Sequence, residues 1–439
     1  MKPYNLFGLL LVVMGLMGPH PVAAQTPDSL DRYLETAAMN NPGLNADFLA
    51  YKASLEKVPQ AGAWPDPRLD IGFFLKPMDI VGGRQIADFT LMQMFPWFGT
   101  KKAAQTEATH MARMAYARFT ETRDNLYLEV YTQWYLLSTL VQQLRNNREN
   151  LQLLKQLEEL ALRKVSSSSS GMSSGMGNTA PGMSDVLRVQ LEMAEIENNI
   201  ESILSEIAAE KAKFNALLNR SADREVILPD SIAKVPFFFD EGVTMSEIEN
   251  RNPMLDMLVE EEQAYRAKGE MDQKMSYPMF GIGLQYMLIG ESATAQMEQG
   301  MEPEMTGMDM IMPMVSISIP LYRNKYKAQQ RESRFLWQSA REKYRNTLNM
   351  LQSDLFRLKH QLDDAERKIT LYRKQEQLAR TTYQLVVQEF ISAKSDLTNV
   401  IQVQRQLLDY QLREAEAIAE YNTRVASIRK LRSFNTSNN

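Results

Sequence analysis

Apolar residues occupy every second position at the start of one segment, where Leu69, Ile71, Phe73 and Leu75 are separated by Asp70, Gly72 and Phe74. A period of two marks a strand with one apolar face. It resumes after the turn-forming Val81-Gly82-Gly83, with Phe89, Leu91 and Phe95 on one side. It occurs twice more, at Phe280, Ile282, Leu284 and Tyr286, and at Val315, Ile317 and Ile319 ahead of Pro320. Four strands are therefore predicted, over about 68–76, 86–95, 279–288 and 309–319. Elsewhere the period is helical. Tyr127, Val130, Trp134, Leu137, Val141 and Leu144 are spaced alternately 3 and 4 apart, as are Leu348, Leu351, Leu355, Leu358, Leu362, Ala365 and Ile369. Both series are heptad seams. The first lies in a proline-free run from Gly99 to Lys164 that would form a helix roughly 100 Å long.

The programme is written twice. Asn41-Pro42 returns as Asn252-Pro253, and Pro67-Arg68-Leu69-Asp70-Ile71-Gly72 returns as Pro278-Met279-Phe280-Gly281-Ile282-Gly283, at one constant offset. Such self-similarity decides the fold before any single motif does. A first repeat over 25–220 and a second over 244–432 are expected, joined by an irregular 221–243 that holds Pro229 and Pro236, with a polar tail at 433–439. Each repeat opens with a short helix; in the first it is expected from Asp28 to Met39, with Asp28 as its N-cap. A helix then begins at the proline, where the missing N–H costs nothing. Strands follow, and then a helical hairpin, over about 99–219 and again over 323–431. A Ser/Gly/Met low-complexity insert at 166–184 separates the arms of the first hairpin; a short reversal at 391–395 separates those of the second. In each repeat two shorter helices have together nearly the reach of the long one, so they can stack end to end beside it.

Composition narrows the compartment. Lys2, the apolar run Leu6–Met17 and the small residues Val22-Ala23-Ala24 read as a secretory signal over 1–24, too short in its apolar part to span a bilayer comfortably. The chain has no cysteine, which removes disulfides, thiol catalysis and thiolate metal sites. A net charge of −5 argues against nucleic acid as a partner. Enzyme signals are poor. Beyond the signal the only histidines are His110 and His360, far apart in helical pattern, and Gly281-Ile282-Gly283 lacks the third glycine of a phosphate cradle. No catalytic residue and no cofactor are expected.

Four strands cannot close a barrel, and an apolar sheet with open edges invites association. A bilayer requires every backbone polar group to be paired, so partners must supply the closure. Three copies would give about twelve strands, an even number in the outer-membrane range. Trp64, Trp97, Tyr277, Tyr286 and Tyr322 lie near the expected strand ends, where interfacial aromatic girdles belong.

At this point the sequence resembles the TolC family of outer-membrane efflux proteins. The resemblance is carried by Asn40-Asn41-Pro42 and Arg251-Asn252-Pro253 opening helices. It is carried also by Phe95-Pro96-Trp97-Phe98-Gly99-Thr100-Lys101-Lys102 and Ile317-Ser318-Ile319-Pro320-Leu321-Tyr322-Arg323-Asn324-Lys325-Tyr326 leaving strands. Asp185-Val186-Leu187-Arg188-Val189-Gln190 and Asn399-Val400-Ile401-Gln402-Val403-Gln404 resemble the family's paired signatures after the helix turns. The exit strings look closest to its heavy-metal, copper- and silver-type branch. The resemblance implies a mainly α chain with a membrane β part: a homotrimer whose 12-stranded β-barrel, four strands per chain, continues into a periplasmic α-helical barrel. It implies outer-membrane lipid, a periplasmic adaptor (membrane fusion) protein and an inner-membrane RND-type pump as partners. The turns at 165–185 and 391–396 would form the periplasmic tip, and the loops at 79–84 and 289–307 would face outside. Members often narrow the periplasmic entrance with aspartates in the second signature, where this chain has the uncharged Asn399 and Gln402. Asp185 keeps the first-half position, and Asp396 and Glu389 could form a substitute acidic constriction. Drug efflux, type I secretion and a secreted coiled-coil scaffold remain the alternatives.

The methionines add a candidate chemistry. Of 28, Met172, Met176 and Met183 fall in the low-complexity insert. Met297, Met301, Met305, Met308, Met310, Met312 and Met314 crowd the second outer loop and its strand. Thioether sulfur is a soft ligand suited to Cu(I) and Ag(I); methionine is equally an adaptable apolar filler. A transient metal contact at Met172, Met176 and Met183 is the sharper expectation.

Overall fold

A computed structural model describes residues 30–76, 79–80, 83–169, 183–291, 307–392 and 394–434. The expected signal, the Asp28 cap, the end of the tail, Met172, Met176, Met297, Met301 and Met305 lie outside the described residues.

In chain order the elements are α1 (Leu30–Asn40), α2 (Pro42–Gly62), β1 (Arg68–Phe73), β2 (Asp79–Ile80), β3 (Gly83–Phe95), α3 (Thr100–Ser169) and α4 (Met183–Leu217). There follow α5 (Glu241–Arg251), α6 (Pro253–Lys274), β4 (Met279–Gly290), β5 (Met310–Ser318), α7 (Arg323–Ile391) and α8 (Leu397–Leu431). Both long helices start at the sheet and run away from it; α3 has 70 residues and α7 has 69, about 105 Å each. Both α2 and α4 pack on α3, and α6 and α8 pack on α7, while α3 also meets α6 and α8. The seams explain this packing. Val130 and Leu137 are fully buried, as are Leu355 and Ala365 to within about a percent.

Asparagine joins the stacked helices. The Asn41 carboxamide accepts from the Leu44 N–H at 3.1 Å, capping α2, and donates to the Leu217 carbonyl at the end of α4 at 3.0 Å. Asn252 repeats both contacts, accepting from Met254 N–H at 3.0 Å and donating to the Leu431 carbonyl at 2.9 Å. One side chain thus closes the C-terminus of one helix and the N-terminus of the next, satisfying orphan groups on both. The helix dipoles meet head to tail, a favourable order.

Three apolar cores lie along the bundle. One gathers α1, the middle of α3 and the end of α4 around Tyr33, Trp134 and Phe214. A second joins α5, α6, α7 and the end of α8. The third, at the far end, brings α3, α4, α7 and α8 together around Leu157, Val189, Phe390 and Leu397.

The sheet is antiparallel, in the order β1–β3–β4–β5, with the two-residue β2 also on β3. Strand limits differ from those expected. β1 ends at Phe73; Phe74 N–H still reaches the Ile86 carbonyl, but Leu75, read as part of the strand face, is 97 % exposed. The reason is in the sequence, where Lys76-Pro77 follows and proline has no ladder donor. β3 begins at Gly83, with φ +134°, rather than at Ile86, and carries a bulge between Gln85 and Ala87. Tyr286 sits inside β4, against Phe89, rather than near its end. Gly99, at φ +83°, turns β3 into α3, a conformation that favours glycine.

Candidate functional site

Two regions bear on function, the sheet at one end of the bundle and the helix turns at the other. In the sheet, directly opposed residues share a face, so the register sorts the side chains. On one face lie Leu69, Ile71 and Phe73 of β1, Phe89 and Leu91 of β3, Ile282 and Leu284 of β4, and Ile311, Val315 and Ile317 of β5. Most are open to solvent: Val315 is 78 % exposed, Phe73 71 %, Ile311 64 %. A continuous exposed apolar patch of this size signals a membrane or protein contact. The opposite face carries Asp70, Asp88, Thr90, Gln285 and Ser316 together with methionines. In a single chain the outer edges of β1 and β5 have no partner strand among the described elements.

At the junction with the helices Trp97 stacks on Tyr277 at 5.1 Å and lies 5.9 Å from Phe280, while Trp64 meets Phe95 edge-on at 5.3 Å. Lys101 places its ammonium 3.2 Å from the Trp64 ring centroid, a cation–π contact. Tyr322, just before α7 at the chain exit of β5, is exposed. Of the expected aromatic girdle, Trp64, Trp97, Tyr277 and Tyr322 fall at this boundary.

At the other end Asp396 N-caps α8, its carboxylate accepting from Asn399 N–H at 3.0 Å. The Asn399 carboxamide reaches Ser395 Oγ at 3.3 Å, and Lys394 N–H closes the turn on the Glu389 carbonyl at 2.8 Å. Glu389, Asp396, Asn399 and Gln402 are exposed, and Asp185, in the first turn of α4, is half-buried. Met183, which opens α4, is exposed. The starts of α4 and α8 are tied together. Arg188 donates to Thr398 Oγ1, and Arg405 donates to both oxygens of the buried Glu192 at 2.7 and 2.8 Å. The Glu192 hydrogen bond holds the Arg405 guanidinium above its ordinary pKa. Deeper in, Gln404 donates to Asn150 Oδ1 at 3.0 Å, linking α8 to α3. Burial pushes the Tyr383 phenol on α7 up to about 12. These clamps escaped the sequence reading, because partners 210 or more residues apart share no local pattern.

Among the described residues no group of three or more His, Cys, Asp or Glu could hold a metal, and no helix is long and apolar enough to cross a membrane. His110 is bound to Glu260 at 2.6 Å between α3 and α6, which accounts for its place in the packing.

No protein-family model matches the sequence, and no curated protein matches it. Solved structures do match in fold. The outer-membrane channel OprN superimposes with a TM-score of 0.71 at 14% identity, covering 92% of this chain and 89% of its own. The outer-membrane protein VceC of Vibrio cholerae gives 0.72 at 15% identity, covering 92% and 96%. CusC, described with its folding and transmembrane channel formation, gives 0.73 at 12% identity and 93% of both chains. The chain therefore has the fold of these outer-membrane proteins over nearly its whole length.

Proposed function

We propose that the protein is the outer-membrane channel of a tripartite efflux system. It is a passive conduit, not an enzyme, and belongs with the TolC-type channels. Three copies close a 12-stranded barrel by pairing β5 of one chain with β1 of the next, and their helices continue it through the periplasm. The observation that carries this reading is the exposed apolar face on a sheet with two open edges, set on helices about 100 Å long. A periplasmic adaptor docks at the helix turns and receives substrate from an inner-membrane pump. The test is purification from outer membranes in detergent. A trimer that conducts ions in planar bilayers is expected; a monomer soluble without detergent would overturn the reading, and so would release from membranes by high salt.

The acidic constriction is a proposal about the tip. Asp396 and Glu389 flank one turn and Asp185 lies in the first turn of the neighbouring helix, so a three-fold assembly would repeat them around the axis. Because Asp396 is also a helix cap, its charge is best removed with serine, which keeps the cap. Asp396→Ser with Glu389→Gln should raise single-channel conductance and weaken block by divalent cations. Unchanged conductance and block would leave these carboxylates as solvated surface charge.

For substrate we propose soft heavy-metal cations such as Cu(I) and Ag(I), on the strength of Met172 and Met176 in the insert between α3 and α4 and of Met183 at the start of α4. The fold likeness does not choose a branch, since CusC and VceC superimpose equally well. Replacing the three methionines by leucine should lower cellular copper and silver tolerance; unaltered tolerance removes this support.

A further inference from the structure

Methionine in the sheet is confined to one face. Along the paired registers the lipid-type face holds Leu, Ile, Phe, Val, Tyr, Ala, Pro and Gln93, and no methionine. The opposite face holds Met92 and Met94 of β3, Met279 and Met287 of β4, and Met310, Met312 and Met314 of β5. Were methionine only an apolar filler, it would be expected on the apolar face as well. Instead it stands among Asp88, Thr90, Gln285 and Ser316.

The side chains converge. A Cβ built on Gly281 would lie 2.6 Å from Met94 Sδ and 3.2 Å from Met92 Sδ, and one on Gly283 would lie 3.0 Å from Met92 Sδ. Both sulfurs are thus within 3.2 Å of one point, which bounds their separation to twice that. They occupy space that any larger residue at 281 or 283 would fill. Gly283 is also the residue opposite Met314 on its other side. With strands about 4.8 Å apart, Met92 and Met314 flank the bare glycine strand at roughly twice that spacing, within reach of two flexible thioether side chains. Met287, by contrast, already accepts a hydrogen bond from Gln85 at 3.1 Å.

We propose that Met92, Met94 and Met314, over the floor made by Gly281 and Gly283, form a binding site for a soft monovalent cation of the Cu(I)/Ag(I) class. The site deepens the channel reading, on which its placement in the lumen rests: a cation leaving the periplasmic helices would meet thioethers again inside the barrel. Thioethers carry no proton to displace, so affinity should be flat between about pH 5.5 and 7.5, unlike that of a site built on histidine or thiolate. They also ignore hard cations.

The test titrates Ag(I), in chloride-free buffer, into the full chain purified in detergent. M92L/M94L/M314L keeps side-chain volume and should bind on the order of 10- to 100-fold more weakly. G281A, which leaves every sulfur in the sequence but displaces two, should weaken binding in the same direction. M172L/M176L/M183L should retain the site. X-ray absorption of the silver-loaded wild type should show a sulfur-only shell. Equal Ag(I) affinity in the sheet variant, or a nitrogen and oxygen shell in the wild type, overturns the proposal whether or not the variants fold well. Potassium conductance separates the two readings. A conducting wild type that binds no Ag(I) sinks this site alone, and a binding protein that forms no channel sinks the conduit and leaves the site.

Discussion

Arginine at Leu284 should abolish the assembled protein, whereas arginine at Gln285, the next residue, should leave it assembled. The two positions lie at the middle of β4 and point to opposite faces. Leu284 is opposed by Leu91 on one side and Pro313 on the other, within the exposed apolar patch. Gln285 is opposed by Thr90 and Met312 on the polar side. If the sheet is part of the proposed barrel, an arginine at 284 lies on its lipid face near the bilayer midplane and costs about 2–4 kcal/mol, three times over in a trimer. An arginine in a water-filled lumen costs little and adds a positive charge to the path of ions. Heat-modifiable migration of the trimer should therefore vanish for Leu284→Arg and persist for Gln285→Arg, the latter with reduced cation selectivity in bilayers. The reverse pattern would mean that the sheet packs on protein rather than lipid. Equal tolerance of both would mean that it faces water on both sides.

This contrast was legible in the sequence because a strand shows its two faces as a period of two. Leu69, Ile71, Phe89, Leu91, Ile282, Leu284, Val315 and Ile317, read as apolar strand faces, do share one surface. The seams were legible for the same reason at a period of 3.5: Val130, Leu137, Leu355 and Leu362 are all buried. What periodicity could not supply was the other face. Met310, Met312 and Met314, which fall in the outer loop and its strand by sequence, alternate within β5, and Met92 and Met94 alternate in β3. Attention to apolar alternation passed over them, since methionine scores as apolar on either side. Long-range clamps such as Arg405 on Glu192 were invisible, because each residue alone reads as one more surface charge on an amphipathic helix. The tip insert at 166–184 has no period at all, so its sequence predicts chemistry and no geometry.

Asn252→Ala should destabilise the helical part by about 2–4 kcal/mol. Loss of an N-cap costs about 1 kcal/mol, and the buried Leu431 carbonyl left without its donor costs a further 1–3 kcal/mol or so. Asn252 is fully buried, so water cannot replace either contact. Asn41→Ala removes the same two contacts in the first repeat, but Asn41 is only half-buried, and solvent should recover part of the loss. Aspartate separates capping from joining. Asn252→Asp keeps an acceptor for Met254 N–H and ranks with asparagine as a cap, yet it turns a second oxygen, with charge, toward the Leu431 carbonyl. If the residue only caps α6, the aspartate variant should unfold in denaturant as the wild type does. If it joins α8 to α6, that variant should be at least as unstable as alanine, and proteolysis should open the chain near Arg251 and Arg432. The duplicated Asn-Pro would then be the device that makes two short helices act as one wall beside each long helix, and it explains why each repeat needs an asparagine there rather than any good cap.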